Sequence, residues 1–256
     1  YAHMKRSDFS PAPGKVPPYL QGAALMIDSD TGNVLAYVGG RDYAHSQYDF
    51  IQLGRRPLGT AFLPVVYAAA LESGWHPCTT VNDEAMDARA VAVGAPEGIL
   101  GEWGMEVLNP SYEGRIMSKR ALAMSKLAAT VRLGRELSLE AVAEQARAFG
   151  LSVQEGELLT RMLLGYDSIS LREAVRAYSA LSRKGALPGA LRYIERIENA
   201  DGEVVYEAPA PEKSAGDPAC DEITAYQVHG MLQESLESGN LAEDASTLKR
   251  QPFPGA

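Results

Sequence analysis

Two short patterns near the C-terminal end have the spacing of acyl-transfer chemistry. Ser246-Thr247-Leu248-Lys249 sets a lysine three residues after a serine. At that spacing on a helix start the amine lies one turn above the hydroxyl and can take its proton. Ser238-Gly239-Asn240 places a hydroxyl and a carboxamide two residues apart. Both lie in a polar, loop-like segment and not at a buried helix start after a glycine, so as catalytic motifs they are read as coincidence. The four histidines, His3, His45, His76 and His229, are isolated from one another, and no metal or other cofactor is assigned. Cys78 and Cys220 lie far apart with no CxxC spacing, which leaves two free thiols and a disulfide both open.

The elements that would position any such chemistry belong to an ordinary globular protein. At 256 residues and 46% hydrophobic, the chain can bury one large core. A net charge of -9 and a pI near 5.0, with no basic stripe, argue against a nucleic-acid partner. Pro-rich Ser7 to Pro18 reads as an extended linker, so residues 1–19 are set apart from a domain over 20–256. The runs Gln21 to Asp28 and Asn33 to Gly40, joined through Asp30-Thr31-Gly32, predict a β-hairpin. Their near-continuous apolar character predicts burial on both faces, as in a sheet covered by helices. A loop over Arg41 to Leu58 leads to a helix over Ala61 to Ser73 that stops at Gly74, with Pro64 in its first turn. Val91 to Pro110 reads as an irregular excursion. Ser118 is expected to cap a helix through Arg132, Ser138 another through Phe149, and the Ser170-to-Glu173 capping box a third, to Lys184. A second hairpin over Leu191 to Tyr206, a Pro-rich loop over Ala208 to Pro218 and a helix over Ile223 to Leu236 complete an α+β, helix-rich pattern.

The order of these pieces resembles the transpeptidase domain of class A penicillin-binding proteins. Gly22-Ala23-Ala24-Leu25 through Thr31-Gly32-Asn33-Val34-Leu35-Ala36-Tyr37-Val38-Gly39-Gly40-Arg41-Asp42-Tyr43 is similar to the family's opening hairpin and loop. Arg56 to Pro64 with Tyr67 to Glu72 looks like its nucleophile segment, and Asn109 to Tyr112 with Ala121 to Ala123, Ser125-Lys126 and Ala129 to Leu133 like its second-motif segment. Leu163-Leu164-Gly165, Thr224-Ala225-Tyr226 and Met231-Leu232-Gln233 continue the likeness, which runs from about Leu20 to Gly239. The resemblance implies the penicillin-binding-protein and β-lactamase-like fold, with only one hairpin of an expected five-stranded sheet in view.

What the resemblance implies for chemistry is a loss. Gly59-Thr60-Ala61-Phe62-Leu63-Pro64 stands where the family has Gly-Ser-x-Phe-Lys-Pro, so Thr60 keeps a hindered hydroxyl while Leu63 replaces the base. Ser125-Lys126-Leu127 keeps the second motif's serine but has Leu127 at its asparagine. No Lys-Thr-Gly occurs in the chain, which ends at Gln251 to Ala256, about where the family enters that strand. Asp49-Phe50 departs from the family's Asn-Arg. The degenerate positions are thus Thr60, Leu63, Ser125 and Leu127, with helix packing around a filled cleft as the expected outcome.

The leading expectation is a pseudo-transpeptidase that scaffolds peptidoglycan assembly or binds a ligand, its partners being stem peptides or cell-wall assembly proteins. The resemblance further implies an extracytoplasmic location, with a parent protein that carries a membrane anchor and a glycosyltransferase domain before this one. Two other readings stay open: an enzyme using Thr60 with Lys126 as base to transfer or hydrolyse D-alanyl peptides, and a sensor that binds muropeptide or β-lactam without acylation.

Overall fold

The Asp28 carboxylate organises the first turn. It accepts hydrogen bonds from the backbone N–H of Asp30 and Thr31 and from the Thr31 hydroxyl, and Gly32 takes a φ of 72° to complete the reversal. Antiparallel strands β1 (Ala24–Ile27) and β2 (Val34–Val38) follow from it, as the apolar runs predict. The computed structural model describes residues 21–44, 46–91, 111–153, 156–210 and 218–242. The linker at Ser7 to Pro18, most of the excursion to Pro110, the middle of the loop to Pro218 and Ser246 to Lys249 lie outside them.

Helices carry most of the described fold. Strand β3 (Arg55–Pro57) leads through a 3-10 turn at Gly59–Phe62 into α1 (Leu63–Glu72), and β4 (Thr80–Asp83) follows. Strand β5 (Gly114–Met117), α2 (Ser118–Ala123), α3 (Leu127–Leu137) and α4 (Leu139–Ala148) come next. Then come β6 (Ser168–Ser170), α5 (Leu171–Ser182), the hairpin β7 (Arg196–Glu198) and β8 (Val204–Glu207), and α6 (Glu222–Glu237). Among the described residues the strands form four separate antiparallel pairs: β1 with β2, β3 with β6, β4 with β5 and β7 with β8. Residues 63 to 70 of α1 are all buried, and α3, α4 and α6 pack around it to form the core. A helix buried on all sides has no amphipathic stripe, which is why Ala68, Ala69 and Ala70 are needed to let the neighbours approach.

Three expectations need correction. The β1–β2 hairpin is not buried on both faces: α5 packs against β1, while Met26, Leu35 and Val38 are exposed. Apolar composition reports a preference for the pleat, but burial needs a second layer, and none covers this face among the described residues. The loop at Arg41 to Leu58 contains β3, whose partner β6 lies more than a hundred residues away, beyond the reach of any local signal. The stretch from Ser118 to Arg132 is two helices, not one, and Ser118 does not cap. It is the first residue of α2, and its hydroxyl donates to the carbonyls of His76 and Pro77. Elsewhere the caps are as expected. Ser138 accepts from Ala141 N–H at the start of α4, and Ser170 and Glu173 exchange both bonds of the capping box at the start of α5.

Candidate functional site

Thr60 is placed by two glycines. Pairing of β3 with β6 brings Gly59 against Gly165, whose carbonyl accepts the Gly59 N–H at 3.1 Å. Gly165 has φ 69°, and a Cβ there would lie 2.4 Å from the Gly59 oxygen, so this approach requires glycine. Thr60 sits half-buried in the 3-10 turn, with its carbonyl accepting from Leu63 N–H, and the Tyr178 hydroxyl of α5 donates to Ala61 C=O at 2.7 Å. The Thr60 hydroxyl makes no hydrogen bond among the described residues. Leu63, one turn on, is 0% exposed and is the opening residue of α1.

The segment Ser125-Lys126-Leu127, read above as the second motif, lies in the break between α2 and α3. Ser125 N–H donates to Leu122 C=O at 2.9 Å and Lys126 N–H to Ala121 C=O at 2.8 Å, the pair of bonds that defines a Schellman helix end. Ser125 occupies the left-handed position of that motif with φ 50°, where glycine is usual and where a non-glycine residue costs roughly 1 kcal/mol. Leu127 then opens α3 at 2% exposure. Leu63 and Leu127 belong to one hydrophobic core, along which α1 packs on α3. The Tyr67 hydroxyl donates to Thr130 Oγ1 at 3.1 Å, and Thr130 in turn to Lys126 C=O at 2.9 Å, fastening the two helices.

Lys126 turns into the protein. Its side chain is 1% exposed, with Nζ 3.6 Å from the carboxylate of Asp83, itself 1% exposed, and 3.3 Å from that of Glu113. It also donates to Ser111 C=O at 3.1 Å. Burial pushes the Asp83 carboxyl above the usual carboxylate range, against the Glu113 N–H and the Lys126 ammonium, which favour its ionised form. Glu113 is held below that range, chiefly by the Arg120 guanidinium that donates to it at 2.7 Å and then by Lys126. The arrangement is a buried ion network with its polar atoms partnered, of the kind that fixes register between elements.

The sequence singles out Thr60, Leu63, Ser125 and Leu127 but not the partners that hold them. Lys126 reads as turned from the cleft, with nothing to mark Asp83 or Glu113 as its partners. Asn240 reads as coincidental, yet the turn after α6 carries the Asn240 carboxamide to Ser125, Nδ2 donating to Oγ at 2.9 Å. Cys78 is exposed and Cys220 buried, and both are free. Among the described residues no group of three or more His, Cys, Asp or Glu could hold a metal ion, and no helix is long and apolar enough to cross a membrane.

The family model of the penicillin binding protein transpeptidase domain matches residues 22–249. The chain belongs to that family. Among relatives of this transpeptidase domain, penicillin-binding protein 1A of Escherichia coli K12 is 26% identical over 236 residues, covering 91% of this chain and 26% of that protein. Penicillin-binding protein 2D of Bacillus subtilis 168 is 31% identical over 223 residues, covering 85% and 30%. The chain therefore spans less than a third of these relatives. In fold it is similar to penicillin-binding protein 1A of Haemophilus influenzae, with a TM-score of 0.74 at 20% identity over 91% of this chain and 38% of the other. Penicillin-binding protein A of Mycobacterium tuberculosis, solved as an imipenem acyl-enzyme complex, gives 0.70 at 16% over 84% and 57%. The α+β penicillin-binding-protein fold expected from the resemblance is the fold of this transpeptidase domain.

Proposed function

We propose that this transpeptidase-type domain forms no acyl-enzyme and instead holds peptidoglycan stem peptides, or proteins of cell-wall assembly, reversibly. The observation that carries this reading is the state of the two groups able to act on Thr60. Position 63 is a leucine inside the core, and Lys126 is engaged by Asp83 and Glu113. A threonine hydroxyl without a base stays protonated near neutral pH and is a weak nucleophile. A lysine whose ammonium is held by two carboxylates is a poor proton acceptor.

In this reading the domain acts on the extracytoplasmic side of the membrane, in a longer protein whose anchor and glycosyltransferase activity would lie elsewhere in the sequence. Support comes from the family membership and from the relatives' length. The test uses the protein with diacetyl-L-Lys-D-Ala-D-Ala in a calorimeter and, separately, with a fluorescent penicillin on a denaturing gel. Heat from saturable peptide binding together with an unlabelled band is the expected pair. A labelled band rules out the non-acylating half of the proposal, and peptide titrations without heat rule out the stem-peptide half.

A further inference from the structure

We propose that the cavity at the end of β2 binds an alkylammonium cation, held between tyrosine rings and the Asp49 carboxylate. The proposal is independent of how Thr60 and Ser125 behave, because neither residue lines this cavity.

The cavity has a volume of about 400 Å³, within the range of small-molecule sites. Tyr37, Tyr43 and Tyr48 line it together with Gly39, Gly40 and Asp49. All three tyrosines are exposed, Tyr43 to 74%. Two of the rings are held in place by neighbours: Tyr37 meets Tyr193 edge-on with centroids 5.9 Å apart, and Tyr48 meets Phe50 in the same way at 4.7 Å. An edge-to-face contact occupies one face of one ring, which leaves π-faces to attract a cation.

Asp49 supplies the charge. Its Oδ2 accepts from the Tyr37 hydroxyl, and its Oδ1 from the N–H groups of Ile51 at 2.9 Å and Gln52 at 3.2 Å. Burial raises its pKa, but the bonds from Tyr37, Gln52 and Ile51 outweigh burial and leave it lowered, so the group is ionised at neutral pH. Among the described residues no lysine, arginine or histidine is paired with it. A carboxylate offers about four lone-pair sites, and three of these are taken, so one is left for a ligand. A Cβ on Gly39 would lie 3.0 Å from Asp49 Oδ1, so glycine there lets the carboxylate approach the end of the strand. The sequence carries the same signal: Asp49-Phe50 stands where the resemblance expects Asn-Arg, so an anion is gained and a cation lost beside the rings. A neutral sugar stacked on the tyrosines would leave that charge uncompensated.

The test is an NMR titration of the isotope-labelled protein with choline, with Nα-acetyl-L-lysine amide, and with the neutral isostere of choline in which a tert-butyl group replaces the trimethylammonium. The backbone amides of Gly39 and Gly40 are expected to shift saturably with at least one of the two cations and to ignore the alcohol. Which cation acts tells a quaternary from a primary ammonium. D49N should weaken binding roughly tenfold or more, the loss of a charged partner, and Y43A roughly threefold. Both variants should keep the wild-type thermal midpoint, because the asparagine Oδ1 still accepts from Ile51 and Gln52 and Tyr43 is largely exposed. Should D49N unfold, Y43A and the neutral isostere decide the matter. An alcohol that binds as well as choline, or a folded D49N that binds the cations as tightly as the wild type, overturns the proposal. So does the absence of a shift with either cation, and N-acetylglucosamine moving the same amides while both cations are silent would assign the tyrosines to a sugar instead.

Discussion

Replacing Lys126 by methionine separates a structural lysine from a catalytic one. Methionine keeps much of the alkyl stem, so the loss is of charge and not of packing. It leaves Asp83, 1% exposed, with the Glu113 N–H as a remaining partner, while Glu113 retains Arg120. Removing one member of a buried pair usually costs about 3–5 kcal/mol. A ceiling applies here, because Asp83 can take up a proton. Protonating a carboxyl of ordinary pKa near 3.9 at pH 7 costs about 4 kcal/mol, at 1.36 kcal/mol per unit, so a loss of about 2–4 kcal/mol is expected. The sign of its pH dependence follows. Asp83 already has a raised folded pKa, and loss of Lys126 raises it further. A group raised in the folded state contributes stability below its unfolded pKa and loses it as pH rises through the folded value. The deficit of K126M relative to wild type should therefore be largest at pH 7 and shrink towards pH 4. Urea unfolding followed by circular dichroism at pH 7, 6 and 5 measures this, and D83N/K126M should recover most of the loss. A K126M protein within about 0.5 kcal/mol of wild type at every pH, a change typical of exposed sites, would show that Lys126 is not held by Asp83 and is free to serve Thr60.

Other expectations follow from the same geometry. L63K installs the lysine that the resemblance expects at this position, but it exchanges a buried leucine worth about 2 kcal/mol for a buried ammonium, and a loss of at least about 3 kcal/mol in urea unfolding is expected. E173A should lower stability by about 1–2 kcal/mol through the lost capping box. Glu173 also bears on acid unfolding. Burial raises its pKa, but hydrogen bonds from the Ser152 hydroxyl and from Ser170, with Arg55 nearby, outweigh burial and leave it lowered. Its contribution is therefore present above the ordinary carboxylate range and lost as pH falls through the folded value, so E173A should flatten the acid limb of thermal melts between pH 6 and about pH 3. At pH 8 Ellman's reagent should modify exposed Cys78 at once. Cys220, whose thiol is pushed up to about 12 by burial and then by Glu72 and Asp221, should react only on unfolding.

The parts of this fold that the chain announces are those that neighbours in sequence decide. Ser170 and Glu173 exchange hydrogen bonds across three residues, Ser138 caps its own helix, and Asp28 closes a turn two and three residues on. Each appears as a residue type at a fixed offset. The break at Ser125 was hidden because its left-handed residue is not glycine, so the usual punctuation between α2 and α3 is absent. Partnerships across the chain leave no such mark. Lys126 meets Asp83 from 43 positions away and Asn240 meets Ser125 from 115. The resemblance draws attention to Leu63 and Leu127, but their burial in one core depends on helices that only the fold brings together.

Mass spectrometry of the intact protein after incubation with excess benzylpenicillin decides whether Thr60 can be acylated. With Leu63 in the core and Lys126 engaged by Asp83 and Glu113, the mass is expected to remain that of the unmodified chain. An increase of one penicilloyl group, mapped by peptide digestion to Thr60, would contradict it.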